Sequence, residues 1–208
     1  MTGAPTRRDT RGRIVDAAAK LTIAVGWSNV TMTKLADAAG VSRQTVYNEF
    51  GSKSQLVQSM IMRELERFLT LVSQAFDDHP GDEPDELIAA IRQGAHDVLQ
   101  QAAENPLLVS VVSATHGADT ELLPYLTTQS DWLLEGAKAV LHERIGGYRT
   151  TLGPAETDIA VDVLLRAVLS HVMQPTGSPD QIADGIAWMV SRLLGTDFTL
   201  PEARSGAA

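Results

Sequence analysis

Between Arg43 and Asn48 the chain places Arg43, Gln44, Thr45, Tyr47 and Asn48 around a single apolar residue, Val46. All of these polar side chains can hydrogen-bond phosphate oxygens or base edges. Such a set works only if a rigid element holds it outward. Val46 and Phe50 are four apart and share one helical face, and Ser42 stands where a helix N-cap is needed. The spacing predicts a helix from Ser42 through Phe50. A partner helix is predicted just before it, over Met32–Ala39, with Thr31 as its cap and Leu35, Ala36 and Ala39 facing inward. Gly40 ends that helix where positive φ is required, and Val41 fills the corner. This is a helix-turn-helix pattern. A polar-apolar helix pair also suits an ordinary bundle; the outward-facing polar set favours nucleic acid.

The elements around this pair are helical too. Ile14, Ala17, Ala18, Leu21 and Val25 recur at three- and four-residue steps, predicting a helix over Thr10–Val25 that covers the back of the pair. Gly26 ends it, and Trp27 and Val30 pack the connection. The free N–H groups near Asn29 and Thr31, at the start of the next helix, suit a phosphate. Ser52 caps a long helix to about Phe76, with Leu56, Met60, Ile61, Leu65, Phe68, Leu69 and Val72 on its apolar face. Lys53 lies in its first turn against the helix dipole. A phosphate contact accounts for that position.

Net charge is −9 for 208 residues, an unusual balance for a nucleic-acid binder. The imbalance is local. Residues 1–55 hold eight basic and four acidic side chains, and residues 56–208 hold nine basic and 22 acidic ones. A basic head on an acidic body meets phosphates with one end. There is no cysteine, hence no disulfide and no thiolate metal site. Arginines near the N-terminus (Arg7, Arg8, Arg11, Arg13) are not followed by an apolar stretch, and no apolar run approaches a membrane span of about 20 residues. These features point to a cytoplasmic protein.

Beyond the acidic loop Asp77–Asp85, helices are expected over Glu86–Glu104, Leu107–Thr115, Pro154–Met173 and Pro179–Gly195, with a loop over His116–Pro124 and a helix following it to about Ile145. No strand is expected, so the fold class is all-α, with about nine helices. The expected organisation is a basic arm (1–9), a helix-turn-helix domain (10–55), a helical body (56–195) and a tail (196–208). The five histidines show no metal-ligand spacing, and phosphate-loop, dinucleotide, nucleophile-elbow and zincin motifs are absent. No catalysis, cofactor or metal is expected.

Taken together, Thr31, Leu35-Ala36, Ala39-Gly40-Val41-Ser42, Thr45-Val46-Tyr47, Phe50 and Ser52-Lys53 resemble the DNA-binding domain of the TetR family of bacterial transcriptional regulators. The resemblance covers about residues 11–55. It departs at Glu49, where the family often carries histidine; a carboxylate facing DNA is unfavourable, so Glu49 is expected to turn aside or to pair with a nearby arginine.

The resemblance implies a ligand-responsive regulator, foremost a repressor, that binds a palindromic operator as a dimer. Two reading helices then enter successive major grooves about 34–36 Å apart. Expected base contacts are Arg43, Gln44 and Asn48. Thr31, Thr33, Tyr47 and Lys53 are expected at phosphates, with Ser42 and Thr45 beside them. The helices 154–173 and 179–195 are expected to form the homodimer, their small residues (Ala160, Ala167, Ala183, Gly185, Ala187) permitting close approach. A ligand pocket is expected between the middle helices. Its candidate lining is Phe68, Leu69, Ile91, His96, Val98, Leu108, Val111, Val112, Trp132, Val168 and His171, with Leu65, Leu107, Gln100 and His116 nearby. The scarcity of basic residues in the body points to an apolar or lipid-like effector. The head also resembles actinobacterial members tied to alkane and fatty-acid metabolism. Two rival readings are a helical ligand-binding module without sequence-specific DNA binding, and an enzyme on an all-α scaffold.

Overall fold

The computed structural model describes residues 7–113, 122 and 131–196 of the chain. The described residues are all-α: α1 (Arg7–Val25), a single 3₁₀ turn (Trp27–Asn29), α2 (Met32–Ala39), α3 (Arg43–Phe50), α4 (Lys53–Asp78), α5 (Pro84–Glu104), α6 (Pro106–Ser113), α7 (Asp131–Ile145), α8 (Pro154–Met173) and α9 (Pro179–Leu194). The expected loop His116–Pro124, apart from the buried Leu122, and residues 1–6 and 197–208 of the expected arm and tail lie outside the described residues. Among the described residues no helix is long and apolar enough to cross a membrane.

Helix α1 starts at Arg7 rather than at Thr10. Its first turn is polar and gives no apolar periodicity, although Asp9 there suits the helix dipole. At its other end Val25 is 43% exposed, and Thr22 is buried in its place. The Thr22 hydroxyl donates to the Ala18 carbonyl at 2.8 Å, which lets a polar side chain occupy the inner face.

The chain divides into two compact units, Met1–Glu66 with Glu104–Asp131, and Arg67–Ala103 with Trp132–Ala208. The expected boundary after residue 55 therefore falls inside α4, which continues through that point, and α6 groups with the head. In the first unit α1 packs on α2 and α6, and α2 packs on α3. Ile14, Ala18, Leu35, Val46, Phe50, Leu56 and Val57 are almost fully buried there.

The same unit holds a buried polar chain. Glu64 and Asn105 are 5% and 7% exposed. Asn105 Nδ2 donates to Glu64 Oε2 at 2.7 Å, while Asn105 Oδ1 accepts from the N–H groups of Leu107 (3.0 Å) and Leu108 (3.3 Å). Asn105 thus caps α6 and anchors it to the α4 carboxylate. Next to Glu64, Arg63 pairs with Asp16 of α1.

The second unit is built on one apolar cluster that includes Phe76, Leu87, Ile91, Leu99, Leu141, Val161, Leu164, Ile186 and Val190. Its loops are clasped: the Tyr148 hydroxyl donates to the His79 carbonyl at 2.6 Å, and Arg149 pairs with Asp82 and Glu83. A capping box starts α9, with Ser178 and Gln181 exchanging backbone–side chain bonds at 3.1 and 3.3 Å.

Candidate nucleic-acid interface

Both helices of the pair begin on the expected caps. Thr31 Oγ1 accepts from the Lys34 N–H at 3.2 Å, and Ser42 Oγ accepts from the Thr45 N–H at 3.0 Å. Gly40 closes α2 in the left-handed region, with φ 63° and ψ 42°, a conformation that other residues adopt only with strain. The Val41 N–H returns to the Ala36 carbonyl at 3.0 Å. Val46 and Phe50 are buried. The opposite face of α3 is therefore turned outward.

That outward face is internally braced. Arg43, Gln44, Tyr47 and Asn48 are exposed, and Thr45 is half-buried. Gln44 Nε2 donates to Asn48 Oδ1 at 2.9 Å. Arg43 Nη2 donates to the Tyr47 hydroxyl at 3.4 Å, with the guanidinium 5.6 Å from the Tyr47 ring centre. Pairs at i and i+4 hold these long side chains in register along the helix. Ser42 and Thr45 share a hydroxyl contact of 2.8 Å, so both serve the cap as well as the surface. At the start of α2, Thr31 and Thr33 are exposed, and Lys34 Nζ donates to the Asn29 carbonyl at 3.0 Å.

Lys53, at the start of α4, is half-buried. Its Nζ donates to the Trp27 carbonyl at 2.8 Å and lies 4.7 Å from the Trp27 ring centre. The side chain is thus held by the 3₁₀ turn, a relationship that residue types and spacing do not reveal. Glu49 is half-buried on α3, and its backbone carbonyl accepts from Arg11 Nη1 at 2.8 Å.

Arg11 and Arg13 of α1 reach the ends of α3 and α2, contacts that residue spacing did not single out. Arg11 also donates from Nη2 to Ser59 Oγ at 2.9 Å and places its guanidinium 4.4 Å from the Phe50 ring centre. Arg13 Nη2 donates to the carbonyl of Ala39 and, at 3.4 Å, to that of Gly40. The available signal was the need of every helix C-terminus for donors to its last carbonyls.

The side chains expected around a ligand have varied surroundings. Ile91 belongs to the core of the second unit, and Val168 packs against that core. Val98, Leu108 and Val111 are buried; Phe68, Leu69, Val112 and His171 are partly buried. His116 and the Trp132 side chain lie outside the described residues. His96 lines a cavity of about 310 Å³ in the second unit with His79, Ala89, Arg92, Gln93 and Asp180. Its polar groups are tied to one another and to their neighbours: His96 Nε2 stands 3.5 Å from Asp180, and Arg92 Nε donates to Asp184 at 2.6 Å. Of the side chains expected around a ligand, this cavity takes in His96.

The last two helices each carry an exposed apolar stripe. On α8, Ile159 is 64% and Val163 49% exposed; on α9, Trp188, Met189 and Leu193 are 41%, 37% and 49% exposed. Ala183 and Ala187 are buried inside the protomer, whereas Gly185 faces open space.

Comparison with known proteins agrees with this geometry. Residues 14–60 match the family described as bacterial regulatory proteins, tetR family, and residues 86–192 match the bacterial tetracyclin repressor C-terminal domain. The chain is 31% identical over 185 residues to the transcriptional regulator AlkX of Mycobacterium tuberculosis, covering 87% of this chain and 83% of that protein. It also resembles the crystal structure of the TetR family repressor AlkX from Dietzia sp. strain DQ12-45-1b, implicated in biodegradation of n-alkanes. That likeness has a TM-score of 0.71 and 28% identity and covers 91% of this chain and 97% of the other. The RolR structure with resorcinol, at 19% identity and a TM-score of 0.56 over 94% of this chain and 97% of that one, shares the fold. A braced, outward-facing α3 on a capped helix-turn-helix thus coincides with family matches to both parts of the chain: the protein belongs to the TetR family of helix-turn-helix transcriptional regulators.

Proposed function

We propose that this regulator is a cytoplasmic repressor that binds a palindromic operator as a homodimer and leaves it when a small apolar effector binds. The observation that carries this reading is the outward face of α3, where Arg43, Gln44, Tyr47 and Asn48 are exposed and held in register by bonds between side chains four apart. Arg43, Gln44 and Asn48 read base edges. Thr31, Thr33, Tyr47 and Lys53 take phosphates, with Ser42 and Thr45 beside them.

One reading helix spans few base pairs, so useful specificity needs two of them. The stripes of Ile159 and Val163 on α8 and of Trp188, Met189 and Leu193 on α9 join two copies, each covering the other's exposed apolar surface. An apolar effector fits a body in which acidic side chains outnumber basic ones, and it fits the n-alkane connection of the Dietzia relative. The effector acts by binding the non-operator geometry more tightly; equal affinity for both geometries shifts nothing.

The test starts by selecting DNA from a random duplex library with the full-length protein, then titrates the selected sequence with and without a medium-chain n-alkane, a fatty acid and a sugar. The proposal expects an enriched palindrome bound by two protomers and released by an apolar compound but not by the sugar. Enrichment of no sequence would favour a ligand-binding module without DNA reading. Release by the sugar alone would overturn the effector class.

A further inference from the structure

We propose that Arg11, on α1, is a positioning residue for operator recognition: it sets the seat of the reading helix by capping its C-terminus and tying it to α4, without itself contacting DNA. The inference rests on the reading of α3 as the DNA-contacting helix. At the end of α3, Gly51 turns the backbone with φ 63°, and the chain leaves the helix. At such a helix end the Glu49 carbonyl can take a donor from outside the helix. Arg11 Nη1 is that donor, at 2.8 Å. A cation at a helix C-terminus also complements the dipole.

The other prong points elsewhere. Arg11 Nη2 donates to Ser59 Oγ on α4 at 2.9 Å, and Ser59 Oγ donates to the Gln55 carbonyl at 3.0 Å, which fixes its orientation. Arg11 Cζ also lies over the ring of Phe50, the buried anchor of α3, 4.4 Å from its centre. One planar fork therefore meets the last turn of α3 at two points and α4 at a third. A lysine keeps the charge but cannot reproduce a rigid planar fork that aims two donors at two elements. Arg13, two residues on, does the same for α2 through the Ala39 and Gly40 carbonyls. The first turns of α1 thus supply both helices of the motif with C-terminal donors.

An alternative role for an arginine here is a phosphate contact, and salt dependence separates the two. The experiment uses full-length protein and an operator selected from random duplex DNA. Affinity is measured across salt concentrations for the parent, Arg11→Met, Arg11→Lys and Ser59→Ala, and amide hydrogen exchange is followed on the same proteins without DNA. Arg11→Met and Arg11→Lys are each expected to weaken binding about tenfold, with the parent's salt slope retained. Ser59→Ala is expected to lose about threefold. Exchange in the last turn of α3 rises in all three variants, while that at the start of α2 stays unchanged. Parent-like affinity for Arg11→Lys, with a slope flattened by about 0.9 in Arg11→Met, would make Arg11 a phosphate ligand and overturn the proposal. Unchanged exchange at the end of α3 would overturn it as well. If Arg11→Met does not fold, Arg11→Lys and Ser59→Ala decide. If no operator is enriched, DNA reading fails, and exchange still decides whether Arg11 seats α3.

Discussion

Lys53 Nζ donates to the Trp27 carbonyl at 2.8 Å and stands 4.7 Å from the centre of the same residue's indole ring. The side chain expected at a DNA phosphate is therefore also a brace between the start of α4 and the 3₁₀ turn. Both roles are measurable. Lys53→Met is expected to lower stability by about 1 kcal/mol, from the lost cation–π contact and hydrogen bond. It should also weaken binding to all operator sequences alike and flatten the salt slope by about one. Chemical denaturation reads the first effect and salt titration the second. An unchanged slope would leave Lys53 a structural role alone.

Arg43→Ala is expected to relax sequence preference at one operator position, at a cost of about 1–3 kcal/mol for the preferred base. Selection of operators by parent and variant proteins reads this directly. Identical preference profiles would remove Arg43 from the base contacts.

Trp188→Glu combined with Leu193→Glu places two charges on the α9 stripe, where the side chains are 41% and 49% exposed in the protomer. Exposed positions tolerate charge in an isolated chain, but a buried interface does not. The double variant should sediment as a folded monomer and lose palindrome binding. A stable dimer with parent-like affinity would place the interface elsewhere.

Asn105→Ala removes the α6 cap and one partner of the buried Glu64 carboxylate. The expected loss is about 2–3 kcal/mol, read by urea denaturation. A loss below about 0.5 kcal/mol would show that this network contributes little.

Asp162 accepts from Arg166 Nε at 2.7 Å and from Lys138 Nζ at 2.7 Å. Hydrogen bonds from Arg166 first and Lys138 second hold its carboxyl at about 2, below the ordinary 3.8. A carboxyl with a depressed folded-state pKa stabilises the fold above its unfolded value, and that contribution fades as pH falls through the folded value. The melting difference between the parent and Asp162→Asn should therefore be constant above about pH 4 and shrink between there and about pH 2. A difference independent of pH across that window would exclude the ionised carboxylate as its source.

The elements most legible in the sequence are those with chemical punctuation at both ends. α2 and α3 fall on their expected bounds because Thr31, Gly40 and Ser42 mark the transitions, and α8 does so between Pro154 and Met173. The start of α1 was not legible, since Arg7 to Asp9 carry no apolar residue from which a helical period could be read. The division of the chain was obscured for a different reason: α4 continues through residue 55 without a break, and the grouping of α6 with the head depends on tertiary packing. In the candidate interface, the identities of the outward α3 residues followed from period and cap. The tethers of Arg11, Arg13 and Lys53 did not, because each joins residues at least 26 apart in sequence. On α8, spacing alone does not distinguish Ile159 and Val163 from Leu164 and Val168. Packing separates them, leaving the first two exposed while Leu164 is buried and Val168 packs against the core.

The most direct test of the central claim is a titration of full-length protein against its selected palindrome at two salt concentrations with competitor DNA. Competitor-resistant binding of two protomers per site, weakening with salt but retaining its preference for the palindrome, is the predicted result. Weak binding that competitor DNA abolishes at both salt concentrations would contradict the assignment of α3 as a sequence-reading helix.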